Sequence, residues 1–352
     1  VFFATATPHQ GRDDQFVHLV RLLRPDALSE RDATDPDVLD RLRPLLSQVV
    51  VRTPKSMAVD WAGQRVFQGS LARTVQVPVL DEDEAFSEEL LDYIERGFDA
   101  YDAALAASRS SAVLINFVMT TFLKLWTSSR PAIRSALVRR RDRIREARAR
   151  SRAASHGTKA QLAGLDSALD AEQEEAVLEQ LRDPGFFDDE LELIDALVAS
   201  LDTLGPDPKI AMLVAEMARL RRESTSGVLV FTEYVETQKA ICDALIKQFG
   251  ADQVVFIRGG RGPQNLEAAA RFQSGTPFLV STQAGGEGLN LQYGGHVLVN
   301  FDQPWNPLRT LQRIGRLDRF GQAQRVTVVN LVRTAAIDER ILSKTWAKLQ
   351  RA

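Results

Sequence analysis

Residues 278–291 read Phe-Leu-Val-Ser-Thr-Gln-Ala-Gly-Gly-Glu-Gly-Leu-Asn-Leu, a short apolar run that ends in hydroxyl residues and glycines. Other short apolar runs lie on both sides of it, at 228–231, 254–257, 296–301 and 326–331. Helical patterns lie between or after most of these runs, at 237–249, 266–273, 308–319 and 336–350. Alternating strands and helices are typical of a parallel sheet, so the sequence predicts an α/β lobe over residues 207–352.

Length and composition describe a globular chain without an obvious metal site. The chain has 352 residues, 44% hydrophobic and 26% charged, which is enough to bury cores in two or three compact units. Cys242 is the single cysteine, which excludes intramolecular disulfides and cysteine-rich zinc sites. No apolar run reaches the roughly 20 residues of a membrane helix, and the first residues carry no basic region of a signal peptide. We expect a cytoplasmic, nucleoid-associated protein with no membrane partner and no metal site of its own.

A helical block with segregated charge precedes the lobe. Residues 77–204 show almost no strand signal, but helical patterns occur at 86–105, 112–126, 133–152 and 159–181. The net charge is only -3, yet arginine dominates from 130 to 159 and acidic residues dominate from 166 to 207. The sequence therefore predicts an α-helical insertion over 77–206, arginine-rich first and then acidic.

Two interpretations of the arginine-rich helix remain open. Clustered arginines can neutralise the phosphates of a nucleic-acid backbone without reading its sequence. Alternatively, the arginines pair with the acidic helix that follows them, which would leave little net field.

The first 76 residues lack the pattern of a complete domain. Residues 1–4 read as a buried strand that runs directly into Thr5-Ala6-Thr7-Pro8. A helical pattern follows at 13–24 and is ended by Pro25. We expect residues 1–76 to be the remnant of a preceding lobe and its connection, so that the chain is a piece of a longer protein.

The segment 312–322 reads Gln-Arg-Ile-Gly-Arg-Leu-Asp-Arg-Phe-Gly-Gln. Arg316 and Arg319 are three residues apart, so they share a face if the segment is helical. Planar, permanently charged guanidinium groups suit the charge that develops on a transferring phosphoryl group. The glycine-rich turn at 281–291 permits close backbone approach to a phosphate, although on its own such a segment is more often only a tight turn.

Several segments together resemble a known family. In order and spacing, residues 228–234, 281–291, 302–307 and 312–322 resemble motifs IV, V, Va and VI of helicase superfamily 2. The resemblance is closest to the SWI/SNF-type branch and, within it, to the bacterial RapA-like proteins, and residues 4–10 look like motif III. It implies an α/β RecA-like lobe of the P-loop NTPase type, without the P-loop itself, that is the second of two lobes.

The resemblance also implies roles for individual residues. Those that match the positions reaching ATP on the opposite lobe are Arg316 and Arg319, with Gln312 nearby. Those that match positions against the nucleotide are Glu287, Gly288 and Asn290. Those that match nucleic-acid-binding positions are Thr232, Ser281, Thr282, Gly285, Trp305 and Asn306. Trp305 and Asn306 match the segment that couples the two sites, although simple packing explains Trp305 equally well.

Departures from the family pattern limit what this chain can do alone. It contains no Gly-x-x-x-x-Gly-Lys-Ser/Thr loop and no Asp-Glu-x-His motif. We therefore expect the phosphate loop and the Mg2+ ligands for ATP on a missing first lobe, and no ATP hydrolysis by this chain alone. The family's basic brace after the first lobe is reduced here to Arg52 and Lys55.

The sequence leaves three functional hypotheses. The first is a motor that moves along double-stranded DNA at the expense of ATP, with Arg316 and Arg319 acting in trans. The second is an ATPase directed at RNA polymerase or at an RNA–DNA hybrid. The third is a non-catalytic module whose helical insertion binds a partner protein.

Overall fold

The computed structural model describes residues 13–29, 37–50, 55–107, 111–153, 171–180, 185–286, 288–304 and 307–333. Near the start, helices α1 (Asp13–Leu23) and α2 (Val38–Val49) share a small apolar cluster that includes Val17 and Leu42. The predicted helix at 13–24 is thus confirmed as α1. The predicted strand at 1–4 and the predicted helix at 336–350 lie outside the described residues.

The helical block consists of five described helices around one apolar cluster. They are α3 (Asp81–Ala106), α4 (Ser111–Ser128), α5 (Arg130–Ala153), α6 (Ala171–Gln180) and α7 (Glu190–Thr203). The cluster is rich in large side chains such as Phe86, Phe122 and Trp126, all of which are buried. The patterns at 86–105, 112–126 and 133–152 correctly predicted α3, α4 and α5, and α6 is the described part of the pattern at 159–181. Helix α7 was not predicted.

Helix α4 is the only helix in the described ranges that is long and apolar enough to cross a membrane by length and composition. Of this 18-residue window, 61% is buried inside the structure. The apolar surface of α4 is therefore accounted for by the packing of the helical block.

The α/β lobe is built on a parallel sheet of six strands in the order β1-β6-β5-β2-β4-β3. Its strands are β1 (Ser70–Val77), β2 (Gly227–Thr232), β3 (Val254–Ile257), β4 (Phe278–Thr282), β5 (Gly295–Asn300) and β6 (Val326–Arg333). Its described helices are α8 (Pro208–Glu223), α9 (Val235–Phe249), α10 (Gly262–Gln273) and α11 (Pro307–Ile314). The predicted fold class, a RecA-like parallel lobe with a large helical insertion, is confirmed, and so are all five predicted strands.

Strand β1 corrects the boundary drawn from the sequence. Residues 70–76 were assigned to the connection before the helical block, but β1 pairs in parallel with β6 from Ser70 opposite Val326 to Val77 opposite Arg333. The edge strand of the lobe therefore comes from residues that precede the helical insertion in the sequence, whereas the other five strands follow it. The strand is largely exposed, so it lacks the continuous apolar run by which buried parallel strands are recognised.

Helices cover both faces of the sheet. Successive side chains of a strand point to opposite faces, so the apolar residues of one strand pack against helices on both sides. In β2, Val228 and Val230 pack with α8 and α9, whereas Leu229 and Phe231 pack with α10. Because all strands are parallel, their carboxyl ends lie at one edge of the sheet. That edge is where the ligands of such sheets usually bind.

The helical block packs against the lobe through buried polar contacts. The backbone N–H of Arg130 donates to Asp207 Oδ2 at 2.8 Å. Ser128, the last residue of α4, donates through its hydroxyl to Asp302 Oδ2 at 2.9 Å. Asp302 follows β5, so the block meets the lobe at the carboxyl edge of the sheet.

The arginines of α5 are mainly engaged by α7. The ion pairs between α5 and α7 are Arg140 with Glu190, Arg134 with Asp202, and Arg141 and Arg145 with Asp195. The pairing interpretation of the arginine-rich helix is thus favoured. The partner helix α7 lies within the acidic stretch at 166–207, but it is not the helical pattern at 159–181 that directly follows the arginine-rich pattern.

Candidate functional site

A buried arginine connects the loops at the carboxyl edge of the sheet. Arg313, near the end of α11, is 1% exposed. Its Nε donates to Gln283 Oε1 at 3.0 Å, and its Nη1 donates to Asn300 Oδ1 at 3.2 Å and to the carbonyl of Asp302 at 2.6 Å. Nη2 lies 3.3 Å from Glu233 Oε1. One guanidinium therefore fixes the residues after β2, β4 and β5 relative to α11.

Asp302 forms a second buried centre beside Arg313. Its carboxylate accepts from Lys209 Nζ at 3.0 Å and from the Thr232 hydroxyl at 2.6 Å. Burial alone would raise the pKa of Asp302, but the charge of Lys209 and the hydrogen bonds to the carboxylate outweigh it and lower the pKa below its ordinary value. Asp302 is therefore a fixed negative charge that holds α8, β2 and the end of α4 together.

Glu233 completes this network between the two centres. Burial raises the pKa of its carboxyl group, and the nearby charge of Arg313 partly offsets that rise. Because Glu233 touches Arg313 and its own backbone N–H donates to Asp302 Oδ2 at 3.0 Å, it couples both centres at the end of β2.

The segment after α11 is a turn, and this corrects the predicted helix at 308–319. Helix α11 ends at Ile314, so Arg316 and Arg319 do not share a helix face. Gly315 begins a series of tight turn hydrogen bonds, including Arg316 N to the Arg313 carbonyl at 3.0 Å. Buried Leu317 anchors the turn in the core beneath the sheet.

The structure brings Arg319 together with a residue of the glycine-rich loop. Its Nη1 donates to Asn290 Oδ1 at 2.5 Å and to the carbonyl of Leu289 at 3.2 Å. Arg316 is partly buried in the same turn, and so is Gln312 at the end of α11. A predicted arginine finger and a predicted nucleotide-side residue thus lie side by side.

The hydroxyls predicted to touch nucleic acid are buried. Thr232, Ser281 and Thr282 are each 0% exposed, and Thr232 is bonded to Asp302 as described above. Thr282 Oγ1 accepts from the backbone N–H of Gly285 at 3.3 Å. In this arrangement the hydroxyls shape the loops, and direct contact with a nucleic-acid backbone would require them to move; that role stays a prediction.

Gly285 and Gly288 are needed for different reasons. A Cβ at Gly285 would lie 2.4 Å from Cα of Arg258, so the loop after β4 packs against the backbone after β3 where no side chain fits. Gly288 has φ of +76°, which favours glycine. The close approach predicted for a phosphate is thus made at Gly285 by the chain's own backbone.

Lys55 links the segment before β1 to the turn that carries the arginines. Its Nζ lies 2.9 Å from Asp318 Oδ2 and also donates to the Asp318 carbonyl. Lys55 is one of the two residues that the resemblance assigns to a basic brace, and its partner Asp318 lies between Arg316 and Arg319. Arg52 lies outside the described residues.

Three predicted site residues, Glu287, Trp305 and Asn306, also lie outside the described residues. Conversely, sequence reasoning gave no role to Arg313, Asp302, Glu233 or Lys209. The available signal was the placement of charged residues directly after apolar strands, at positions 233 and 302. Within the described ranges, no cluster of three or more His, Cys, Asp or Glu side chains could hold a metal ion.

Comparison with known proteins identifies the lobe. Residues 208–321 match the model of the helicase conserved C-terminal domain. Over 355 aligned residues the chain is 26% identical to an uncharacterized ATP-dependent helicase, YqhH of Bacillus subtilis, covering 98% of this chain and 52% of that protein. The RNA polymerase-associated protein RapA of Pseudomonas fluorescens is 38% identical over 119 residues, 33% of this chain and 12% of RapA.

A further relative is the putative ATP-dependent helicase/translocase YwqA of Bacillus subtilis, 32% identical over 140 residues, 39% of this chain and 15% of YwqA. The chain thus spans about half the length of YqhH and smaller fractions of the others. Among solved structures, the helicase domain of Pyrococcus furiosus Hef is similar with a TM-score of 0.52 and 17% identity, covering 88% of this chain and 64% of Hef. That likeness concerns the fold. Residues 208–321 thus match the helicase conserved C-terminal domain, and the relatives with similar sequences are named as ATP-dependent helicases and as RapA.

Proposed function

We propose that this chain is the C-terminal part of an ATP-driven motor that moves along double-stranded DNA, and that Arg316 and Arg319 act on ATP held by another lobe. The observation that carries the proposal is the contact between Arg319 and Asn290, which brings the loop after β4 and the turn after α11 to one place. Guanidinium groups positioned there can stabilise the charge that develops during phosphoryl transfer.

The buried network gives these arginines a fixed platform. Arg313 ties the end of α11 to the ends of β2, β4 and β5 through its bonds with Glu233, Gln283 and Asn300. Movement of the lobe as a body would therefore carry Arg316 and Arg319 together with the glycine-rich loop. Lobe closure over ATP would bring them onto the phosphates, and reopening would withdraw them.

The phosphate-binding half of the reaction belongs to the longer protein. The 352 residues contain no Gly-x-x-x-x-Gly-Lys-Ser/Thr loop, and the relatives it matches are longer proteins. ATP and its Mg2+ would be bound mainly by that other half. On this proposal the 352-residue chain alone hydrolyses ATP no faster than the buffer blank.

The proposal is tested by DNA-stimulated ATP hydrolysis in the longer protein. Arg316→Ala and Arg319→Ala should each lower the stimulated kcat by about 10³-fold, since arginine fingers are worth about 10³ to 10⁵ in kcat. The matched control is Arg222→Ala, on the exposed end of α8, which should keep wild-type turnover. Normal turnover of Arg316→Ala would instead support the non-catalytic hypothesis.

RNA polymerase is a second candidate target, because the 119 residues shared with RapA are 38% identical. The two targets are separated by comparing stimulation of ATP hydrolysis by duplex DNA, single strands, RNA–DNA hybrid and RNA polymerase. Stimulation by duplex DNA alone supports the translocase. Stimulation by the polymerase or the hybrid, without an effect of duplex DNA, would replace it with a remodelling ATPase.

A further inference from the structure

Helix α6 lies over the carboxyl edge of the sheet, and three of its carboxylates contact donors there. It contains Glu172, Glu174, Glu175 and Glu179 and has no basic residue. Two of these carboxylates accept backbone hydrogen bonds from the lobe. Glu175 Oε2 accepts from Val235 N at 2.8 Å, and Glu172 Oε1 accepts from Gly259 N at 3.1 Å.

Phosphate groups accept hydrogen bonds from backbone N–H groups of this kind. Val235 is the first residue of α9, a helix of 15 residues, so its N–H points out of a positive helix end. Gly259 follows β3, and a Cβ there would collide with the Glu172 carboxylate. The missing side chain is what allows an anionic group to reach this amide. Backbone N–H groups and helix N-termini are common phosphate ligands in nucleic-acid complexes.

Cationic side chains surround the same edge. Lys124 Nζ donates to Glu174 Oε1 at 2.5 Å. The guanidinium groups of Arg258 and Arg261 lie over the ring of Phe256, 5.6 Å and 5.4 Å from its centroid. The backbone amides of Val235 and Gly259, which follow β2 and β3, are thus both bonded to carboxylates of acidic α6.

Among the described residues, the contacts between α6 and the lobe leave one buried carboxylate oxygen without a hydrogen bond, which favours release of α6 from the lobe. Glu175 is 6% exposed, yet its Oε1 has no hydrogen-bond partner in the part of the chain that the structure describes. Burial raises the pKa of Glu175 to about 7 against the hydrogen bonds from Val235 and Glu236 and the charge of Arg139. A buried carboxylate without its full set of partners is costly. The apolar anchor of α6 is small, since Ala171 and the partly buried Leu178 are its members in the helical cluster.

We propose that α6 is an autoinhibitory segment: its carboxylates occupy donors that a nucleic-acid backbone would use, and it must leave this surface before the backbone binds there. The inference rests on the proposed function, because it assumes that DNA is the ligand of this edge. It adds that the resting chain binds DNA less tightly than the same chain without the charges of α6.

The first test compares the purified 352-residue chain with its Glu172→Gln/Glu175→Gln variant. Binding of a fluorescently labelled DNA duplex is followed by anisotropy at about 50 mM salt, where phosphate contacts are strong. We expect the variant to bind about tenfold more tightly, within the usual range of coupling between two sites. The matched control is Glu88→Gln/Glu89→Gln on the exposed face of α3, which also replaces two carboxyl groups by amides and should bind like the wild type.

The second test needs no substitution and so does not depend on how a variant folds. Hydrogen–deuterium exchange of peptides covering 171–180 is measured in the wild-type chain with and without saturating duplex. Displacement of α6 predicts faster exchange when DNA is bound. Unchanged or slower exchange would overturn the inference even if the glutamine variant failed to fold.

The outcomes separate this inference from the proposed function. Equal affinity of wild type, Glu172→Gln/Glu175→Gln and control overturns autoinhibition, while DNA-stimulated ATP hydrolysis by the longer protein still supports the motor. If no form of the chain binds duplex and the longer protein shows no stimulation, both ideas fail. Tighter binding by the control variant as well would mean that net charge alone sets the affinity, which also overturns the inference.

Discussion

Helices α5 and α6 both carry dense charge, but they are bound to the molecule in different ways. Arginines of α5 meet carboxylates on α7, as in the buried pair of Arg140 with Glu190. Two carboxylates of α6 instead meet backbone amides of another part of the fold, at Val235 and Gly259. Side-chain pairs between two helices of one block are structural, whereas amides covered by carboxylates remain able to bind another anion. The number of charged residues on a helix therefore does not show whether that helix regulates DNA binding.

The largest effect should come from breaking the α5 pair. Arg140 Nε and Nη2 donate to Glu190 at 2.9 and 3.0 Å, and Glu190 is 0% exposed. Arg140→Met would leave that carboxylate charged and buried, which typically costs about 3 to 5 kcal/mol. The measurement is urea unfolding followed by tryptophan fluorescence, since buried Trp126 lies in the same cluster.

The double variant Arg140→Met/Glu190→Gln is the matched control for this loss. A neutral side chain at 190 no longer carries an uncompensated charge, and it can still bond the Tyr93 hydroxyl, which now lies 2.9 Å from Glu190 Oε1. Most of the lost stability should therefore return. A loss below about 1 kcal/mol for Arg140→Met would show that the pair behaves like an exposed one, and the contrast with α6 would disappear.

A smaller, pH-dependent effect is expected from α6. The pKa of Glu175 rises from 4.5 to about 7 in the folded chain, chiefly through burial, with Glu236 adding to the rise and Arg139 opposing it. The folded state thus holds a proton that the unfolded state has lost between these two values. Stability should fall as pH rises from 4.5 to about 7, by roughly 3 kcal/mol at most.

Glu175→Gln isolates this contribution, because glutamine does not titrate. The free energy of unfolding of the wild type relative to Glu175→Gln should decrease with rising pH across that window and level off above it. If this difference in unfolding free energy stayed constant between pH 5 and 8, Glu175 would be ionised throughout. Burial of its carboxylate under α6 would then cost no stability.

The sheet was predictable because its inner strands are buried on both faces and therefore read as apolar runs. Edge strand β1 was not, since its exposed positions break that pattern. Helix α8 carried a signal that was missed: Asp207 accepts from the backbone of Lys209 and Ile210, and Pro208 occupies the first turn. Gly315 marked the true end of α11 in the same way, since glycine disfavours a helix interior.

The site was predictable in its segments but not in its connections. Arg316 and Arg319 could be selected because guanidinium groups suit phosphate chemistry, and Asn290 because it matches a motif position of the family that the sequence resembles. Arg313 could not, since its partners at Glu233, Gln283 and Asn300 come from three separate segments. The pairing of α5 with α7 was hidden for the same reason, because sequence adjacency favoured the helical pattern at 159–181 as the partner of α5.

The smallest effect on stability should come from the exposed ion pairs of α5. The same variants also decide whether the arginine-rich helix contacts nucleic-acid phosphates or only pairs with acidic residues. Arg134 with Asp202 and Arg145 with Asp195 are each about half exposed. Arg134→Gln and Arg145→Gln should each change the free energy of unfolding by less than about 1 kcal/mol. If α5 is structural, duplex affinity and its salt dependence should also be unchanged.

Arg258→Gln is the comparison variant, because Arg258 borders the surface that α6 covers. One lost phosphate contact reduces the slope of log affinity against log salt by about 0.9, so this variant should show a shallower slope in the Glu172→Gln/Glu175→Gln background. The reverse result, a shallower slope for the α5 variants and none for Arg258→Gln, would make α5 the phosphate-contacting arm and α6 a structural helix.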